Sequence, residues 1–149
     1  MKSVTRHAPT AARILLGLVF FVFGLNGFLR FIPEPPGMPE RVMTFMNGLM
    51  AAGYLFPLIK GVEVLVGVLL LANRFVPLAL ALIAPNIVNI VLFHAFLAPS
   101  GLPIALVVLA LELFLAWSYR DAYAPMLRAR VRPSAESGHA ESVHAGAPA

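Results

Sequence analysis

Eight side chains able to bind, ionise or carry a proton interrupt runs that are otherwise apolar: Asn26, Arg30, Lys60, Glu63, Asn86, Asn89, His94 and Glu112. Carboxylates and an imidazole can pass protons to a substrate, which makes Glu63, His94 and Glu112 the candidate catalytic groups. Amides and cations can hold carbonyl or hydroxyl oxygens, which makes Asn26, Arg30, Lys60, Asn86 and Asn89 the candidate ligand-binding groups. Lys60 and Glu63 are three residues apart and can pair on one helix face, while Asn86, Asn89 and Phe93 share another. Glu112 sits in the run Leu111-Glu112-Leu113-Phe114-Leu115. It must find a cation, a donor or a proton, and is expected to be protonated or to share a proton with His94 or an asparagine. Each residue has a plainer use: ion pairing for Lys60 and Glu63, helix-to-helix hydrogen bonding for the asparagines, an interfacial place for His94.

The apolar runs must position these groups. The chain has 149 residues, 60% hydrophobic and 12% charged, with a mean hydropathy of +0.86. That is an excess whose outlet is lipid. A hydrocarbon core of about 30 Å takes roughly 20 helical residues, and four runs fit: about 11–29, 54–72, 75–97 and 102–119. The fold expected is all-α, an integral membrane antiparallel four-helix bundle. Residues 1–10 form a cytoplasmic tail before the folded part, 11–127, and residues 128–149 form a disordered cytoplasmic tail. Counted inward from the outer ends, Glu63, Asn86, Asn89 and Glu112 fall near the midplane, with Lys60, His94, Asn26 and Arg30 above them. That matched depth points to a polar cleft opening outward.

Orientation follows from the basic residues. Lys2, Arg6, Arg13, Arg74, Arg120, Arg128, Arg130 and Arg132 all fall on one side, which makes that side and both termini cytoplasmic, in a bacterial inner membrane. The net charge of +4 and pI near 10.1 therefore describe membrane anchors and not a nucleic-acid surface. The first run is no signal peptide, because no small-x-small cleavage site follows it. Between the first two spans, Val42, Phe45, Met46, Leu49 and Met50 recur at helical spacing, so residues 39–52 read as an amphipathic helix lying in the outer interface, with Pro39 in its first turn. Gly17, Gly24, Gly27, Gly61 and Gly67 are expected to let helices approach closely. Pro77 and Pro85 would free carbonyls, and a kink at Pro85 would widen the cleft beside Asn86.

The words Arg13-Ile-Leu-Leu-Gly-Leu-Val-Phe-Phe-Val-Phe-Gly-Leu-Asn-Gly, Gly61-Val-Glu-Val-Leu-Val-Gly with Asn73-Arg74, and Glu112-Leu-Phe-Leu-Ala-Trp-Ser-Tyr-Arg-Asp resemble the DoxX-type membrane proteins, over about residues 11–127. The resemblance implies a four-helix inner-membrane protein of the kind often described as an oxidoreductase subunit. Founding members are associated with quinone reduction by thiosulfate, and others serve redox homeostasis or cofactor maturation. By family pattern the positions that carry over are Glu63 and Arg74, with no catalytic role attached to them.

Two functions stay open. In the first, the chain is a quinone-linked redox component: His94, Asn86, Asn89 and Lys60 hold the quinone carbonyls, and Glu63 or Glu112 supplies protons. Without cysteine, a nucleotide-binding glycine motif or a second intramembrane histidine, no disulfide, flavin or haem is expected. Electrons would then come straight from a substrate or from a membrane or periplasmic partner protein. In the second, the protein is a non-catalytic accessory that assists assembly, binds a small molecule or lets one permeate. A metal held by His94 with Glu63 or Glu112 is a weaker third reading, and no metal is expected. Homo-oligomerisation is open.

Overall fold

A computed structural model describes residues 2–33 and 37–130, with side chains from His7 onward. Its elements are α1 (Lys2–Leu29), α2 (Glu40–Ala51), α3 (Leu55–Leu71), α4 (Val76–Phe96), a 3-10 turn (Pro99–Gly101), α5 (Leu102–Ser118) and the short α6 (Arg120–Tyr123). All the described elements are helical. Four helices, α2 to α5, have both bounds within two residues of those expected. The exception is α1, which runs back to Lys2 through Pro9, where a tail was expected. Of the expected tail 128–149, residues 131–149 lie outside the described residues.

Among the described residues, three helical stretches are long and apolar enough to cross a membrane: His7–Leu29, Val76–Phe96 and Pro99–Ser118. The second expected span is shorter. α3 passes that test only together with α2, from which it is bent by 92°. The bend has a local cause: Gly53, at φ +73°, takes the left-handed conformation that ends α2, and its N–H bonds Met50 O at 3.0 Å.

The turn between α3 and α4 is equally determined. Asn73, at φ +54°, occupies the left-handed position, its N–H bonding Leu70 O while Arg74 N–H bonds Leu69 O at 2.9 Å. This paired closure satisfies carbonyls that the helix end would otherwise leave open. Pro77 falls in the first turn of α4, where it displaces no intrahelical N–H. Pro85 lies inside α4, which continues through it.

α1 packs on α3, α3 on α4, α4 on α5, and α5 on α1. The α1–α3 seam is the most extensive, and small residues make it so. A Cβ added at Gly67 would stand 2.6 Å from Phe21 N, one at Gly24 2.8 Å from Val64 N, and one at Gly17 3.1 Å from Leu70 Cβ, while one at Gly27 would collide with the Lys60 stem. Numbers rise along α1 as they fall along α3: 17 with 70, 21 with 67, 24 with 64, 27 with 60. Gly61 departs from the expectation, having nothing within 4 Å of such a Cβ. Leu16, Leu70, Leu80, Ile83, Ile87 and Leu115 fill the interior. Outward, Val107 is 56% and Leu113 60% exposed, an apolar surface that water would not tolerate and lipid does.

α6 and the residues after it form a separate unit. Within it, Arg120 Nε stands 4.0 Å from Asp121 Oδ1, an exposed pair worth little.

Candidate functional site

A cavity of about 310 Å³ is walled by α1 to α5. α1 gives Val19, Phe20 and Phe23; α2 gives Phe45, Met46 and Leu49; α3 gives Phe56, Ile59, Lys60 and Glu63; α4 gives Asn89, Ile90, Phe93 and His94; α5 gives Ile104, Ala105 and Val108. The wall is apolar and aromatic, with four polar side chains, and all four are residues that the sequence singles out. Its size suits a small ring-bearing molecule.

Each polar group is held by its helix. On α3, Lys60 Nζ donates to Glu63 Oε2 at 2.9 Å, the i,i+3 pair expected. Glu63 is buried, 4% exposed, so its charge is tolerable only because Lys60 accompanies it. The Lys60 stem lies against Gly27, and its ammonium stands 5.9 Å from the centre of the Phe56 ring, a cation–π contact. On α4, His94 Nδ1 is 3.1 Å from Ala98 O, just past the helix end. Its imidazole packs over Gly101, where any side chain would overlap it. The Phe93 ring meets His94 edge-on and is tilted against Phe45 of α2, with 5.3 Å between ring centres in both pairs. α2 is thereby fastened over the cavity, with Val42 buried and Met43 and Met50 exposed.

The other four candidates lie elsewhere. Asn26 Oδ1 accepts from Ile32 N–H at 2.6 Å, so this amide closes the turn after α1 instead of lining the cavity. Arg30, at φ +51°, is the left-handed residue of that same turn and is exposed. Asn86 and Glu112 sit about one helical turn beyond Asn89 and Val108, roughly 5 Å further along α4 and α5. Glu112 is 5% exposed. Its Oε2, like Asn86 Nδ2, is buried with no hydrogen-bond partner among the described residues. Among those residues no hydrogen bond joins Glu112 to His94 or to an asparagine, and His94 Nδ1 turns to Ala98 O. No three of the described His, Asp or Glu residues gather as a metal site would require.

Sequence reasoning missed two residues of consequence. Arg13, counted there only as a cytoplasmic charge, is 8% exposed and donates through Nη1 to Leu70 O and, at 3.4 Å, to Leu71 O. It thus places a cation on the open carbonyls that end α3. Its spacing to Gly17 and Phe20 along one face of α1 was the available signal. Gly101, read as a turn residue, also makes room for His94, and only the turn's geometry reveals that. Arg74, carried over with Glu63 by resemblance, lies in the α3–α4 turn and is exposed.

Among known protein families, the DoxX family model matches residues 8–96, from α1 to the end of α4. The words around Glu112 fall beyond that match. No curated protein and no solved structure matches the chain.

Proposed function

From the premise that this chain belongs to the DoxX family, we propose that it is a quinone-linked redox component binding a small hydrophobic ring in the cavity under α2. The observation that carries the reading is convergence: Lys60, Glu63, Asn89 and His94, from two helices, meet on one aromatic-walled cavity. Its apolar wall suits the ring and tail of a quinone, and its polar groups suit the oxygens. Reduction takes up two electrons and two protons. Glu63 and His94 are the titratable groups in the wall, and each would take up a proton before passing it to a ring oxygen. The chain carries no cysteine to relay electrons, which enter straight from a substrate or from a partner protein in the membrane or periplasm.

In this reading α1, α3, α4 and α5 form an antiparallel four-helix bundle in a bacterial inner membrane, supported by the opposed register of α1 and α3. α2 lies in the outer interface, and both termini are cytoplasmic, as the basic residues favour. The test is mass spectrometry of quinones extracted from gently purified protein, with Glu63→Gln and His94→Ala in parallel. The reading expects a stoichiometric quinone in wild type that both substitutions deplete. No enrichment over bulk membrane would replace it with a non-catalytic accessory role.

A further inference from the structure

Contacts already made use up the cavity's hydrogen-bonding groups unevenly. Ala98 O can only accept, so in its 3.1 Å contact His94 Nδ1 carries the hydrogen. The Nδ1–Cε1 edge of that ring lies over Gly101. His94 lines the cavity, and with the hydrogen on Nδ1 the neutral ring leaves Nε2 as a bare acceptor. On α3, Glu63 spends Oε2 on Lys60 and keeps Oε1 without a hydrogen bond among the described residues. Lys60, the strongest donor in the wall, is drawn toward Glu63 and the Phe56 ring. Lys60 still keeps N–H donors beside that bond, and Asn89 offers both kinds of group. The acceptors left for a ligand are His94 Nε2 and Glu63 Oε1.

We infer that the cavity recognises its occupant as a hydrogen-bond donor: a ring hydroxyl delivered to His94 Nε2 binds more tightly than the ring carbonyl it becomes on oxidation. The inference rests on the quinone reading above and adds a direction to it. A site that holds the reduced form more tightly raises the midpoint potential of the bound couple, and so favours quinone as an electron acceptor here. Shape contributes little to the preference, since quinone and hydroquinone rings fill nearly the same volume. The difference resides in the polar contacts.

The test uses purified full-length protein in lipid nanodiscs under argon. Equilibrium binding is measured for decyl hydroquinone, the matching decyl quinone, and the dimethyl ether of the hydroquinone, which keeps the ring and loses both donors. Wild type should bind the hydroquinone about tenfold more tightly than either other ligand. That ratio corresponds to a rise of about 30 mV in the potential of the bound two-electron couple, which a redox titration reads independently. His94→Phe, which keeps a ring and removes the acceptor, should shrink the ratio to below about threefold. Equal binding of quinone and hydroquinone by wild type, or tighter quinone binding, overturns the inference and leaves the quinone site standing. An unchanged ratio in His94→Phe overturns the role given to His94. Failure of all three ligands to bind overturns both the inference and the reading beneath it. The wild-type ranking decides the matter even where the variant does not fold.

Discussion

The α1–α3 seam and the α4–α5 seam solve the same problem, two apolar helices side by side, in different ways. Between α1 and α3 the backbones touch through Gly17, Gly24, Gly27 and Gly67, and Arg13 reaches across to the carbonyls that end α3. α4 and α5 have no interior glycine, and each carries a buried polar atom without a partner among the described residues, Asn86 Nδ2 and Glu112 Oε2. In lipid, where the hydrophobic effect does not drive helices together, close backbone packing is what holds a seam. The first seam is built for rigidity and the second keeps polar groups in reserve. The cavity lies where the two meet, its ion pair supplied by α3, its uncommitted amide and half-committed imidazole by α4.

That contrast can be broken from either side. The largest effect is expected at Gly67: Gly67→Leu, forced against Phe21 backbone, should cost about 3 kcal/mol or more, while Gly61→Leu in the same helix changes stability by less than about 0.5 kcal/mol. Thermal unfolding of both in one detergent checks this, and equal losses would refute the seam's glycine register. Next, Glu63→Leu strands the Lys60 cation and should cost about 3 kcal/mol, of which Lys60→Met in the same chain should restore most. A double-mutant cycle without coupling would show the pair to be idle. Arg13→Met, which keeps the stem and loses the donors to Leu70 and Leu71, is expected to cost about 2 kcal/mol, read from denaturant midpoints. The smallest effect has the opposite sign. Glu112→Met removes an unpartnered buried acid and should raise stability by about 1 kcal/mol; a marked loss would mean that Glu112 is satisfied in the working protein.

Much of the fold was legible because it depends on length and apolarity. α2, α4 and α5 stand where periodicity and breakers placed them, and the interfacial segment 39–52 is α2 almost residue for residue. The start of α1 was not legible, since Lys2 to Arg6 have no apolar period and Pro9 reads as a breaker. At the site, which helices carry the polar groups was readable, and which of those groups line one cavity was not. Helical rise set Asn86, Asn89 and Glu112 at similar levels, but the cavity takes Asn89 and stops a turn short of the other two. Asn26 and Arg30 share the outer level with Lys60, yet the chain leaving α1 uses both to make its turn. A polar residue within a few positions of a helix end competes for backbone groups before it is free for a ligand. Lys60–Glu63 was readable because its spacing alone brings the partners together.

The central claim is that the ring sits in the cavity beneath α2 and not along the lipid-facing surface. Photolabelling with an azidoquinone, followed by peptide mapping, tests it most directly. The account expects adducts within residues 42–50 of α2 and 89–94 of α4, displaced by excess unlabelled quinone and diminished in His94→Ala. Label confined to outward residues such as Leu113 and Phe114, and insensitive to competitor, would contradict it.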